Sequence, residues 1–225
     1  MVRAPASARA RTCSRTSPWT ARTPMSGWAV TARIVRPRAR GPNVQVVPVT
    51  IRERRPEDLP ELVEVLSAQA PSSGYPHRWP LPFPVEEFLV RPGELGAWVA
   101  VVDGRIAGHV ATTDVSANWM AEHWSSILGR SGHELGEVSI LFVDHTLSGS
   151  GVGGALLDRA VAEIRELGRE PVLDVVGEDT RVGLFYQRRG WVVAGHARPQ
   201  WLPDGQPDVA FMVLPEAASD ERVEA

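Results

Sequence analysis

Between an apolar run, Val138 to Val143, and an amphipathic stretch ending at Leu167, the chain carries Ser148-Gly149-Ser150-Gly151-Val152-Gly153-Gly154, with four glycines in six residues. No other segment restricts the fold as much. Glycine adopts positive φ freely and lets backbone approach a ligand closely. A helix starting there leaves its first N–H groups unpaired at the positive end of its dipole. A buried strand that turns through such a segment into a helix is therefore a natural seat for an anion such as phosphate. A tight connection alone would need one glycine, not four. Val152, Leu156, Ala160, Ile164 and Leu167 recur at helical spacing after the turn, and Gly168 ends the helix.

Strands and helices alternate around this unit. Val49 to Arg54 alternates like a half-buried strand, and Pro56, Glu57 and Asp58 open a helix with Leu59, Leu62, Val63 and Leu66 on one face. Five prolines from Pro71 to Pro84 predict a loop, with a helical turn over Glu86 to Val90. Ala97 to Val102, Asp103-Gly104 and Ile106 to Thr112 predict a hairpin, because Asp-Gly supplies the positive φ that a two-residue turn needs. A helical insertion is expected over 116–133, and Val138 to Val143 reads as a central strand buried on both faces. A strand from Pro171, a short helix from Thr180 to Arg189 and strands at Trp191 and Val209 complete one α/β domain.

The 225 residues suffice for one such domain with some left over, and the single cysteine, Cys13, excludes an intramolecular disulfide and a cysteine zinc site. All 24 basic residues are arginine; nine precede residue 48, where there is no acid, so the remainder sets 15 Arg against 27 acids for a net charge of −12. That acidity argues against a nucleic-acid partner. No apolar stretch is long enough to span a membrane, and no secretory h-region is visible, so a cytoplasmic location is expected. Residues 1–47 have no Leu, no Phe and one Ile, which predicts disorder. A start codon placed too far upstream, a basic arm or a targeting peptide would each produce such a segment. The domain is expected over 48–215, with a flexible acidic tail at 216–225.

Gly149-x-Gly151-x-x-Gly154, with Asp174 twenty residues further on, also fits a dinucleotide fingerprint. Two facts weigh against it: five residues, Asp144 to Ser148, separate the strand from Gly149, and only 71 residues follow Gly154. A P-loop is excluded by the absence of lysine. The strand, the gap of five and the turn resemble instead the acyl-CoA motif of the GNAT N-acetyltransferases, Gln/Arg-x-x-Gly-x-Gly/Ala, here Ser148-Gly149-Ser150-Gly151-Val152-Gly153. Their second motif, Asn-x-x-Ala-x-x-Phe-Tyr and a Gly-aromatic pair, resembles Asp179-Thr-Arg-Val182-Gly-Leu-Phe185-Tyr186 and Gly190-Trp191. Ser148, Asp179 and Val182 depart from the usual residues.

This resemblance, over about 49–214, implies a mixed, mostly antiparallel sheet flanked by helices, acetyl-CoA as co-substrate and N-acetylation of an amine; no metal is expected, because no His, Asp or Glu pair shows ligand spacing with a second half. It places Glu137, six residues before Val143, as general base, with Asp174 as the alternative; a solvated strand-end carboxylate is the bland reading of Glu137. Tyr186 corresponds to the acid that protonates the leaving thiolate, or to a tyrosine packed under the cofactor. Leu141, Phe142 and Val143 would pair with the pantetheine arm, and an N–H near Val143 would polarise the thioester carbonyl. Ser148, Gly149, Ser150, Gly151, Val152, Gly153 and Gly154 would take the pyrophosphate, with Asp179 and Phe185 also against the cofactor. A CoA-binding regulatory module without turnover is the other reading that the departures leave open. His109 is expected to be a satisfied core or pocket residue, and His145 stands where the family often has proline. Trp79, Trp119, Trp124 and Trp201 would pack in the core or border an acceptor pocket. The net charge of −12 favours a small cationic amine.

Overall fold

The computed structural model describes residues 29–36, 45–118 and 120–216. Eight strands form one sheet: β1 (Val30–Arg36), β2 (Gln45–Glu53), β3 (Glu94–Val102), β4 (Arg105–Asp114), β5 (Leu135–Val143), β6 (Glu170–Val176), β7 (Val192–Ala197) and β8 (Val209–Val213). Their spatial order is β1-β2-β3-β4-β5-β6-β8-β7. Every neighbouring pair is antiparallel except β5 and β6. An open parallel dinucleotide sheet is thereby ruled out, and the mixed, mostly antiparallel sheet is observed. The predicted Asp103-Gly104 hairpin joins β3 to β4, with φ of 52° and 76° at its two central residues.

Helices α1 (Leu59–Ser73) and α2 (Val85–Leu89) cover one face of the sheet. Leu62, Leu66 and Leu89 are fully buried there against Val99 and Phe142. Each such side chain contributes about 1.5–3 kcal/mol of burial. The long helix α4 (Val152–Glu166) lies on the other face, its Leu156, Leu157, Ala160 and Ile164 packed against Trp98, Val110 and Met212. A third cluster forms under α3 (Ala121–Leu128), where Trp124 meets Phe211 edge-on at 4.9 Å. The last helix, α5 (Arg181–Gln187), is capped by Thr180, whose hydroxyl accepts from the Gly183 N–H at 3.1 Å.

Several expectations need correction. Disorder over 1–47 does not hold for residues 30–36 and 45–47: β1 pairs with β2 in seven aligned positions, from Val30 with Ile51 to Arg36 with Gln45. The physical reason is that a strand joins the edge of a sheet through backbone hydrogen bonds, which the composition of a segment does not reveal. Residues 1–28, 37–44 and 217–225 lie outside the described residues, as does Trp119. Helix α1 runs two residues past Pro71, where a loop was expected, and ends at Gly74, whose φ of +68° closes its N–H on the Ala70 carbonyl at 3.0 Å. Leu167 is 47% exposed, not on the buried face, because α4 stops at Glu166. Residues Val138 to Val143 alternate buried and half-buried positions, since β5 has lost one neighbour along that stretch.

Candidate active site

The site begins where two strands separate. β5 and β6 pair only over Leu135, Gly136 and Glu137 with Glu170, Pro171 and Val172, then diverge. Beyond Glu137 the β6-facing edge of β5 is open. Strand β5 also carries an irregularity against β4: His109 faces Phe142, but Ala111 faces Ser139, and Ile140 between them has φ +53°. Because the Asp144 N–H donates to the Ala107 carbonyl at 2.9 Å, ladder alternation turns the Val143 N–H away from β4, into the fork; before Phe142 the register slip interrupts that alternation. Of the three residues expected along this edge, Phe142 points its side chain into the α1 and α2 layer, while Leu141 and Val143 pack against the α4 side.

Glu137 stands at the fork itself and is only 4% exposed, so it is not a solvated strand-end carboxylate. Its Oε2 accepts from the Asn118 amide at 2.7 Å and from the Thr113 hydroxyl at 3.2 Å, whereas Oε1 has no partner among the described residues. The carboxylate of Asp174 on β6 lies beside it. Burial, and then the neighbouring Asp174 charge, push Glu137 up to about pKa 8. Burial raises Asp174 as well, against the pull of Arg91 and His77. Two adjacent carboxylates resist being ionised together, which helps to hold the Glu137 proton above the ordinary carboxylate range.

Tyr186 is 7% exposed on α5, packed edge-on between Phe185 at 5.2 Å and Trp191 at 6.0 Å. Burial, with Tyr75 and Asp174 nearby, raises its phenol above the ordinary range, so it stays protonated and can act as a proton donor. Tyr75, from the segment after α1, is raised by burial too and feels both carboxylates. Tyr75, His77, Arg91, Thr113 and Asn118 were not found by sequence reasoning. They come from three separate segments, and only their meeting at Glu137 and Asp174 gives them meaning.

At the other end, the glycine turn is built on backbone. Asp144 accepts from the Thr146 N–H at 2.8 Å and starts a short turn over His145–Leu147. Gly149 at φ +81° and Gly151 at +101° then set the chain for α4. Ser150 is 4% exposed and its hydroxyl has no partner, so a polar group is held ready beside the unpaired first N–H groups of α4. This suits an anion. Gly154 serves a different need: a Cβ there would collide with the guanidinium of Arg189, which bonds Asp158 at 2.8 Å and covers the Phe185 ring at 5.2 Å. Ser148 has no charge of its own, but Arg181 of α5 donates to its hydroxyl at 2.8 Å. A guanidinium therefore stands at the turn despite the serine. Asp179 is exposed in the bend before α5, and Thr180 caps the helix in its stead.

His109 is fully buried and bonded at both ring nitrogens, and burial lowers it to about pKa 3. His145 is exposed. Trp124 is fully buried in the core, Trp79 is half-buried and Trp201 is 39% exposed. Among the described residues no group of three His, Cys, Asp or Glu could hold a metal ion, and no helix is long and apolar enough to cross a membrane.

Comparison with known proteins agrees with this geometry. A mycothiol acetyltransferase of Propionibacterium freudenreichii is 39% identical over 88 residues, 39% of this chain and 28% of that protein. An uncharacterised N-acetyltransferase of Methanocaldococcus jannaschii is 32% identical over 106 residues, 47% of this chain and 42% of its own length. The matches thus span less than half of either relative. In fold, the chain resembles a GNAT-family acetyltransferase from Streptococcus pneumoniae (TM-score 0.55, 20% identity, 74% of this chain and 99% of that one). It also resembles the ribosomal-protein-S18-alanine N-acetyltransferase of Escherichia coli (0.53, 18%, 76% and 97%). The acetyltransferase (GNAT) family profile matches residues 59–191, from the first residue of α1 to the residue before β7. That span is more than half of the chain and takes in the fork, the glycine turn and Tyr186 together, so the chain belongs to the GNAT acetyltransferase family.

Proposed function

We propose that the protein transfers an acetyl group from acetyl-CoA to a small cationic amine. The observation that carries this reading is the buried Glu137 carboxylate, with one oxygen unpartnered, at the point where β5 leaves β6. The pantetheine arm would lie along the open edge at Leu141, Phe142 and Val143, and the pyrophosphate on Ser148 to Gly154 with Arg181 beside it. Asp179 and Phe185 would border the same ligand.

An alkylammonium near pKa 10 must lose a proton before it can attack. To a base near 8 the transfer is uphill by about two units, roughly 3 kcal/mol; an ordinary glutamate would face about six units, roughly 8 kcal/mol. The Glu137 and Asp174 pair takes that proton. The amine then forms its bond to the carbonyl carbon as the C=O pair moves onto oxygen. Collapse breaks the C–S bond, Tyr186 protonates the sulfur, and the remaining ammonium proton returns to the tyrosinate through water. The cationic preference rests on the carboxylate pair and on the charge of −12 after residue 47, from 15 Arg and 27 acids. The protein is expected to act without metal and in the cytoplasm.

Calorimetric titration with CoA, followed by thiol release with acetyl-CoA across an amine panel, tests the reading. Micromolar CoA binding and turnover with polyamines or aminoglycoside-like amines are expected. Absence of CoA binding at millimolar concentration would sink it, and binding without turnover on any amine would leave the regulatory module in its place.

A further inference from the structure

We infer that His109 is a positioning residue for acyl transfer: by holding the Ile140 carbonyl it aims the Leu141 N–H into the fork, where that N–H stabilises the oxyanion formed when the amine attacks the thioester. The inference rests on acetyl-CoA lying along β5. Its basis is the hydrogen bonding of a side chain with no exposure to solvent. His109 Nε2 is 3.2 Å from a guanidinium nitrogen of Arg54, and Nδ1 is 3.0 Å from the Ile140 carbonyl. A guanidinium only donates, so Nε2 must accept and Nδ1 must carry the proton. The imidazole is thus a neutral donor to Ile140, with its tautomer set from behind. Arg54 is fixed in turn by both Glu94 oxygens at 2.8 and 2.9 Å and by the Leu89 carbonyl at 2.6 Å.

What this chain of contacts holds is backbone in an uncommon state. Ile140 is β-branched and has φ +53°, at the point where the β4–β5 register slips by one residue. Such a conformation persists only where its surroundings impose it. In a trans peptide the carbonyl and the following N–H point in opposite directions. Drawing the Ile140 carbonyl towards His109 on β4 therefore sends the Leu141 N–H the other way, to the side where β5 has no partner strand. A donor fixed in advance towards developing charge acts in the transition state rather than on the bound ground state.

Two variants and one spectrum test this. His109→Leu should lower kcat about 10²-fold, with the dissociation constant for CoA within a factor of two of wild type. His109→Asn, whose amide can still donate near the Nδ1 position, should recover most of that loss. Nitrogen-15 NMR of the wild-type imidazole should show the Nδ1–H tautomer, neutral down to pH 5. An unchanged kcat in His109→Leu, parallel loss of CoA affinity and turnover, or an Nε2–H tautomer would each overturn the proposal. Failure of the acyl-transfer reading itself would appear separately, as wild-type protein that binds no CoA.

Discussion

The two ends of the cleft are made of different material. The glycine turn is one contiguous segment, Ser148 to Gly154, and offers mainly backbone N–H groups and a buried hydroxyl. The fork is assembled from Thr113, Asn118, Glu137, Asp174 and Tyr186, which lie on separate elements, and burial alters the protonation of the last three. Backbone dipoles need no titration and change little with pH. The fork, in contrast, gains its chemistry by making charge costly. Under the proposed function, the difference predicts that affinity for the donor and reactivity towards the acceptor can be altered independently, and substitutions at either end should show it.

The largest effect is expected at Glu137. Glu137→Gln should reduce kcat about 10²-fold or more while leaving CoA affinity unchanged, and Tyr186→Phe should act similarly. In the wild type, kcat/KM should rise with pH through about 8, because the carboxylate is the active form of the base. That inflection should vanish in Glu137→Gln; a retained one would assign the base elsewhere. Stability moves the other way. With the folded pKa raised above the unfolded value near 4.3, the native state binds the extra proton between the two, so stability falls as pH rises from about 4 to about 8. Glu137→Gln should therefore gain melting temperature relative to wild type at pH 9 but not at pH 4, as scanning calorimetry would show.

A smaller effect belongs to the turn. Arg181→Ala should weaken CoA binding about three- to tenfold and flatten its salt dependence, with kcat unaltered. Unchanged affinity would confine Arg181 to its contact with Ser148. Smallest is Arg91→Leu. Arg91 makes no ion pair among the described residues, and its charge holds both carboxylates down, so its removal should move the kcat/KM inflection upward by a few tenths of a unit. A downward shift would show that Arg91 acts by another route.

How far each region could be read from sequence follows from the same contrast. The turn was legible because its chemistry is local: positive φ at Gly149 and Gly151 needs glycine, and glycine is visible in a sequence. The hairpin at Asp103-Gly104 was legible for the same reason. Glu137, Asp174 and Tyr186 could be named through resemblance, but not their state, since desolvation arises from residues distant in the chain. Arg181 reaching Ser148 from 33 positions away left no local signal, though an arginine in the second motif beside a missing cation in the first was a hint. Strand β1 was missed because composition measures core-forming capacity, while an edge strand is recruited by backbone pairing.

Arg189 has a consequence for the choice of donor. Its guanidinium covers Gly154 at the start of α4, bonds Asp158 one turn along and rests on the Phe185 ring of α5. The helix that begins at the glycine turn is thereby linked to the helix that carries Tyr186. If the donor binds as proposed, these contacts link the anion seat to the proton donor and would act as a caliper for the length of the donor molecule. A thioester cut off before its nucleotide would lack the part that the far jaw grips, and should turn over more slowly even at saturation. Tyr75, His77 and Arg91 come from other segments of the chain, so a new acceptor could be accommodated by remodelling those segments while the Arg189 contacts stay intact.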